Sequence, residues 1–229
     1  MLRLVVGLAL ATPITLAAPQ LSPAASALIA PVHEAYERVE RAQAALPPPK
    51  DDAAKLERLL ALDQAGRQAL DKIDFTVLPE SERSSARGAA WNEINQHDLA
   101  DQTALKAMQP AQGWFTKSKY GDKALEGAFL IVQHAMNDMN WMHDVLKRIE
   151  PLVAQGEFPG RYYALLYDRL ALYYDGKLQR YGSQVTCKDH RWAVDRLEDP
   201  EHVNERRKAV GLSTLEDYEK LFADKPRCG

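Results

Sequence analysis

Residues 125–136 read LEGAFLIVQHAM. Five consecutive apolar residues, Ala128, Phe129, Leu130, Ile131 and Val132, leave no polar face, so a helix here must be covered on all sides. Gln133 and His134 follow directly and stay in the buried zone if the helix continues. A buried amide and imidazole each need hydrogen-bond partners, because an unsatisfied buried polar group costs about 1–3 kcal/mol. Those partners have to come from the helices packed around this one.

The second helix, capped by Asp51 and Asp52 and reaching to Ile73, supplies the first of them. Leu56, Leu60, Asp63, Arg67 and Leu70 form one helical stripe, in which Asp63 and Arg67 stand where the pattern calls for leucine. Gln64 borders the stripe. The third helix, expected over residues 79–108, repeats the pattern. There Trp91, Ile94, Asp98, Asp101, Leu105 and Met108 keep the same spacing, and two aspartates interrupt the apolar run. His97 precedes Asp101 by four residues, as His134 precedes Asp138. Such pairs share a helical face and can hold a metal, but no HExxH or cysteine set supports them. The sequence is read as having no metal site and no cofactor.

Residues 161–175 form a tyrosine-rich helix in which Asp168 or Arg169 points inward. The run Gln179-Arg180-Tyr181-Gly182-Ser183-Gln184 follows, offering amides and a hydroxyl around a glycine that lets backbone approach closely. Residues 181–194 read as irregular. Asp199-Pro200 opens a short helix ending at Gly211, whose Arg206-Arg207 could grip an anion but on such a helix more often form a solvated face. Ser213 and Glu216 form a capping box for the last helix. No segment shows sustained strand alternation, so the fold class is all-α, an irregular multi-helix bundle around a buried central helix.

The chain has 229 residues, 46% hydrophobic and 27% charged, which suits a globular protein with a sizeable core. A formal charge of -3 with mixed signs provides no basic stripe and argues against nucleic acid as a partner. Residues 1–18 read as a signal peptide: Arg3, then an apolar run from Leu4 to Leu16, then small residues. That run is short for a membrane span, so the expectation is export to the periplasm or medium, with cleavage upstream of Ala30 and no stable membrane insertion afterwards. Residues 19–50 read as an N-terminal helix and a Pro47-Pro48-Pro49 linker, and 51–229 as the helical domain. Cys187 and Cys228 either pair, as such a compartment permits, or stay free.

Taken together, Asp63-Gln64-x-x-Arg67, Gly113-Trp114, LIVQH (residues 130–134), Asp168-Arg169, Gln179-x-Tyr181-Gly182-x-Gln184, Glu198-Asp199-Pro200 and Arg206-Arg207 with Gly211-Leu212 resemble an uncharacterised bacterial family, a domain of unknown function. The resemblance implies a shared helical domain whose polar motifs belong together, and it brings no activity with it. Met136 and Met142 depart from the pattern of that family, which has an acidic residue and a glutamine there.

Two classes of function remain open, beside a purely structural helical domain with a satisfied polar core. One is a cell-envelope binding module whose inter-helix pocket, lined by Asp63, Gln64, Arg67, Asp98, Gln133, Arg169, Gln179, Tyr181 and Gln184, takes a small polar or peptide-like ligand. The other is a hydrolase with His134 as general base, oriented by Asp63, Asp98 or Asp168, with His134 and Asp168 as the leading catalytic candidates.

Overall fold

In a computed structural model the described residues are 21–194, 196–223 and 225. The signal-peptide reading of residues 1–18 lies outside them, as does Cys228. Nine helices and one two-stranded sheet make up this part of the chain, an all-α fold. Helix α1 (Pro23–Ala44) starts on Ser22, whose Oγ accepts the Ala25 N–H, and α2 (Asp52–Leu70) starts on Asp51, which caps Ala54 in the same way. Next come α3 (Glu80–Met108), the short α4 (Lys117–Tyr120), α5 (Asp122–His134), α6 (Met139–Ala154) and α7 (Gly160–Tyr173). The C-terminal part holds a hairpin of β1 (Val185–Lys188) and β2 (Arg191–Val194), then α8 (Val203–Ala209) and α9 (Leu215–Ala223).

Helix α5 is the central helix. It packs most extensively on α2 and also touches α3, α6 and α7. Ala128, Phe129, Ile131 and Val132 are buried, and Leu130 is half-buried because it borders two cavities. The helix ends at His134 and a separate helix begins at Met139, so the chain bends between them. Asp138 caps α6 through the Trp141 N–H and pairs with Lys106, which removes it from the face of His134. Gly127 lets α2 and α5 approach: a Cβ there would meet the Leu56 carbonyl oxygen at 2.6 Å.

Two apolar clusters form the core. One joins α5, α6 and α7 to Leu56, Leu105, Trp114, Phe115 and Phe158. The other joins α1 to Ala65, Leu70, Phe75, Leu78, Ala86, Ala90 and Ile94. Along α2 the handover between them falls between Leu56 and Ala65, and along α3 between Ile94 and Leu105. Asp63, Asp98 and Asp101 sit at that junction, which explains why aspartates occupy apolar registers there. Helix α1 packs on both α2 and α3, burying Val32 and Tyr36.

Three local readings of the sequence are corrected. Residues 185–194 form an antiparallel hairpin with Val185 opposite Val194, although a pair of four-residue strands is too short to show alternation. Trp91 is exposed rather than in the core stripe. The last helix is capped by Thr214, whose Oγ1 accepts the Asp217 N–H, one residue later than the Ser213 box. Glu216 instead receives the Asn204 amide, whose oxygen accepts the Leu215 N–H.

Candidate functional site

Asp63 stands at the centre of the polar junction and is 1% exposed. Its Oδ1 lies 2.8 Å from His134 Nδ1, and its Oδ2 accepts the Gln64 side-chain amide at 2.7 Å. Arg67, one turn further along α2, donates to both oxygens of Asp98 at 2.8 and 2.7 Å, and to the Asp63 carbonyl at 2.9 Å. This fork is the planar two-bond geometry for which guanidinium and carboxylate are matched. It also explains why a buried pair is tolerated: both charges are satisfied by more than one contact. Asp101 is different. Burial, then Asp63 and Asp98, push its carboxyl up to about 8, and its Oδ2 has no hydrogen-bond partner.

An ionised Asp63 accepts from the imidazole N–H at Nδ1 and so fixes the ring, its tautomer following from that bond. The other nitrogen, Nε2, makes no hydrogen bond to the described residues, and the ring borders two openings. One, of about 550 Å³, is lined by Arg67, Trp91, Asn95, Asp98, Leu130, His134, Met136 and Arg169 among others. The other, about 370 Å³, shares Asn95, Asp98, His134 and Met136 with it and adds Leu99 and Asn137. Met136 borders both, and also a third cavity of about 450 Å³ lined by Gln133, Leu165, Arg169, Tyr173, Ser183, Gln184 and Tyr218.

Arg169 lies between the first and third cavities. Its Nε donates to Gln184 Oε1 at 3.0 Å and its Nη1 to the Gln133 carbonyl at 2.5 Å. Gln184 is held in turn. Its N–H donates to Gln179 Oε1 at 2.8 Å, its carbonyl accepts Gln179 Nε2 at 3.0 Å, and its own amide reaches the Leu165 carbonyl. Burial pushes the pKa of Arg169 down, and the Arg67 guanidinium acts in the same direction.

Asp168 does not join His134. Fully buried at 0% exposure, it accepts the backbone N–H groups of Arg180, Tyr181 and Ser183 at 2.8, 3.1 and 2.8 Å, which folds the 180–183 loop around it. Burial raises its pKa, opposed by those same amides. It therefore positions the loop, and the acid on His134 is Asp63 rather than Asp168. Gln179 and Tyr181 also have partners around this loop. The first clamps Gln184, and the second packs edge-on against Tyr163 and Tyr167. Gly182 is required in this loop, with φ +61° and a Cβ position 2.8 Å from Leu197.

Sequence reasoning missed Arg207, which is 1% exposed rather than solvated. It donates to the carbonyls of Ser213, Tyr181 and Gly182 and lies under the Tyr218 ring. Tyr36 was also missed: it stacks on His97 with ring centroids 3.5 Å apart, and among the described residues neither His97 nor Asp101 belongs to a metal-capable group. Only the double arginine carried a signal for the first, and the second carried none.

Among the described residues, Asp63, Asp98 and His134 are grouped closely enough to hold a metal, their ligand atoms lying within 4.8 Å of one another. They come from three helices, so neither HxxxD pair contributes. Both Asp98 oxygens are already occupied by Arg67, and both Asp63 oxygens by His134 and Gln64. Arg67 thus supplies the positive charge that a cation would bring.

The polar side chains of α2, α3, α5, α7 and the loop after α7 thus meet around His134 and Arg169. A family model described as a family of unknown function, DUF6624, matches residues 53–227, and the chain belongs to that family. No curated protein matches the chain, and no solved structure does. No helix among the described residues is long and apolar enough to cross a membrane.

Proposed function

We propose that the protein is an exported binding module of the cell envelope whose polar inter-helix pocket takes a small polar or peptide-like ligand. The observation that carries this is the His134 ring, held through Nδ1 by buried Asp63 while it borders an open cavity of about 550 Å³. A histidine present only to satisfy a core would have both nitrogens engaged. The cavity size lies within the range of small-molecule sites. Export is supported by the apolar, Arg3-led start of the sequence, and Cys187 is disulfide-bonded, which suits an oxidising compartment.

The test is calorimetric titration with N-acetylated amino acids, their amides and short peptides, on the wild type and on His134→Gln. Saturable binding that His134→Gln abolishes, with its melting temperature within a few degrees of the wild type, supports the reading. Absence of binding by every probe, or binding indifferent to the substitution, overturns it.

A hydrolase is the second reading, favoured by one feature. A histidine bound to a carboxylate through Nδ1, with Nε2 unengaged, is arranged as a general base. In that case Nε2 would take a proton from water as it attacks the ligand, and Asp63 would stabilise the imidazolium. Release of new amino or carboxyl groups from the short peptides, lost in His134→Gln, distinguishes hydrolysis from binding.

A further inference from the structure

We propose that Arg169 is an anion receptor at the edge of this pocket, and that the ligand carries a singly charged oxyanion, a carboxylate, which docks there. The inference rests on the pocket reading above and specifies which chemistry the pocket recognises.

Arg169 differs from the other buried cation of the cluster. Arg67 is neutralised by Asp98 and lies 3.7 Å from Asp63. Arg169 has no carboxylate partner among the described residues. Its two intramolecular bonds go to uncharged oxygens, the Gln133 carbonyl and Gln184 Oε1. Those bonds use Nε and Nη1, and Nη2 donates to no described residue although the side chain lines two cavities. A half-buried guanidinium without a counter-ion is costly, and an arriving oxyanion would offset that cost.

The cation is also held rigidly. Asp168 gathers the amides of the 180–183 loop, that loop presents Gln184, Gln179 clamps Gln184 at two points, and Gln184 fixes Arg169. From the other side, Arg207 and the Tyr218 hydroxyl fasten the same loop through its carbonyls. The motifs around residues 168–169 and 179–184 are therefore one device, and it presents the Arg169 charge to two cavities. Such preorganisation lowers the ordering cost of binding.

Charge counting selects the class of anion. Around the pocket two guanidiniums, Arg67 and Arg169, face two carboxylates, Asp63 and Asp98, and Asp101 holds its proton near neutral pH. Asp71 lies at the rim, exposed to solvent. One negative charge on Arg169 matches the guanidinium that has no carboxylate of its own, Arg67 being already forked to Asp98. A second, as in a phosphate dianion, is left uncompensated beside Asp98.

The probes are N-acetylglycine, its uncharged amide N-acetylglycinamide, and inorganic phosphate, titrated into the full chain by calorimetry at two salt concentrations. The expected result is that the acid binds at least tenfold more tightly than the amide, weakens with salt, and loses at least tenfold in Arg169→Gln, with partial recovery in Arg169→Lys. The wild-type comparison of acid and amide needs no variant, so a folding defect in Arg169→Gln does not blunt it. If the amide binds as well as the acid and His134→Gln abolishes both, the pocket stands and the anion receptor is overturned. Preference for phosphate over the acid overturns the choice of a single charge. If neither glycine probe nor phosphate binds, the anion receptor is overturned, and the wider probe set above decides the pocket.

Discussion

Asp63 on α2 and His134 at the end of α5 meet at 2.8 Å although 71 residues separate them. Asp63 is the buried partner and His134 the one that borders the cavity, so the acid holds the base in place. Asp63 also accepts from Gln64, which leaves each of its oxygens facing a nitrogen. Asp63→Asn keeps both contacts only if the imidazole moves its proton to Nε2 or the Gln64 amide turns over, because its NH2 otherwise meets a donor. The variant is expected to lose about 1–3 kcal/mol in urea denaturation. An unchanged midpoint would mean that the junction is solvated rather than buried.

Two glycine-to-alanine substitutions should have opposite signs. At Gly127 the new Cβ meets the backbone oxygen of Leu56 at 2.6 Å, and neither helix can move away without opening the α2–α5 contact. A loss of about 1–3 kcal/mol is expected, as for other overpacked cores. At Gly88, inside α3, nothing lies within 4 Å of the added methyl. Alanine there should stabilise by about 0.5–1 kcal/mol through helix propensity alone. Thermal melts of the two variants check both signs at once.

The stripe interruptions in α2 and α3 made much of this cluster legible in the sequence. Asp63, Arg67, Asp98 and Asp101 all proved to lie at the junction between two apolar clusters, because helical periodicity reports which residues face inward. Periodicity says nothing of what an inward residue meets. Asp168 was a plausible partner for His134 by register, yet its partners are loop amides, and backbone groups carry no identity that a sequence can display. Arg207 was missed for the same reason, since its hydrogen bonds among the described residues go to carbonyls. Tyr36 reaches the cluster from α1, across a proline-rich stretch that reads as a spacer.

Asp168 gives a prediction of its own. Asp168→Asn replaces an acceptor of several amide bonds with a group that has one acceptor oxygen. Hydrogen exchange at Arg180, Tyr181 and Ser183 should speed up by tenfold or more, while the centre of α5 keeps its protection. Binding at Arg169 should weaken as well, since Gln184 loses its support. Unchanged exchange in the loop would show that Arg207 and Tyr218 hold it without the aspartate.

If Arg67 takes the place of a cation between Asp98 and Asp63, removing it should create a metal site. Arg67→Met leaves Asp63, Asp98 and His134 with ligand atoms within 4.8 Å and frees both oxygens of Asp98. The variant is expected to bind zinc at least tenfold more tightly than the wild type, measured by competition with a chromogenic chelator. Equal or tighter binding by the wild type would show that the fork of Arg67 does not block the site.

Asp101 should make stability depend on pH in a sense opposite to that of an ion-paired carboxylate. Its folded pKa is about 8, set first by burial and then by the nearby Asp63 and Asp98, whereas an unfolded aspartate titrates near 3.8. Between those values the folded chain keeps a proton that the unfolded chain has lost, so raising the pH favours unfolding. The full benefit of the neutral carboxyl is present below about pH 4, and it is lost progressively up to about pH 8. Within that window this one group contributes a slope of at most about 1.4 kcal/mol per pH unit. Asp101→Asn keeps the shape and removes the titration. The variant should match the wild type near pH 4 to within about 1 kcal/mol, then gain on it steadily toward pH 8. Urea midpoints at unit steps of pH measure the difference directly. A constant offset between the two proteins across that range would mean that Asp101 is ionised in the fold, and that the junction carries three negative charges against Arg67.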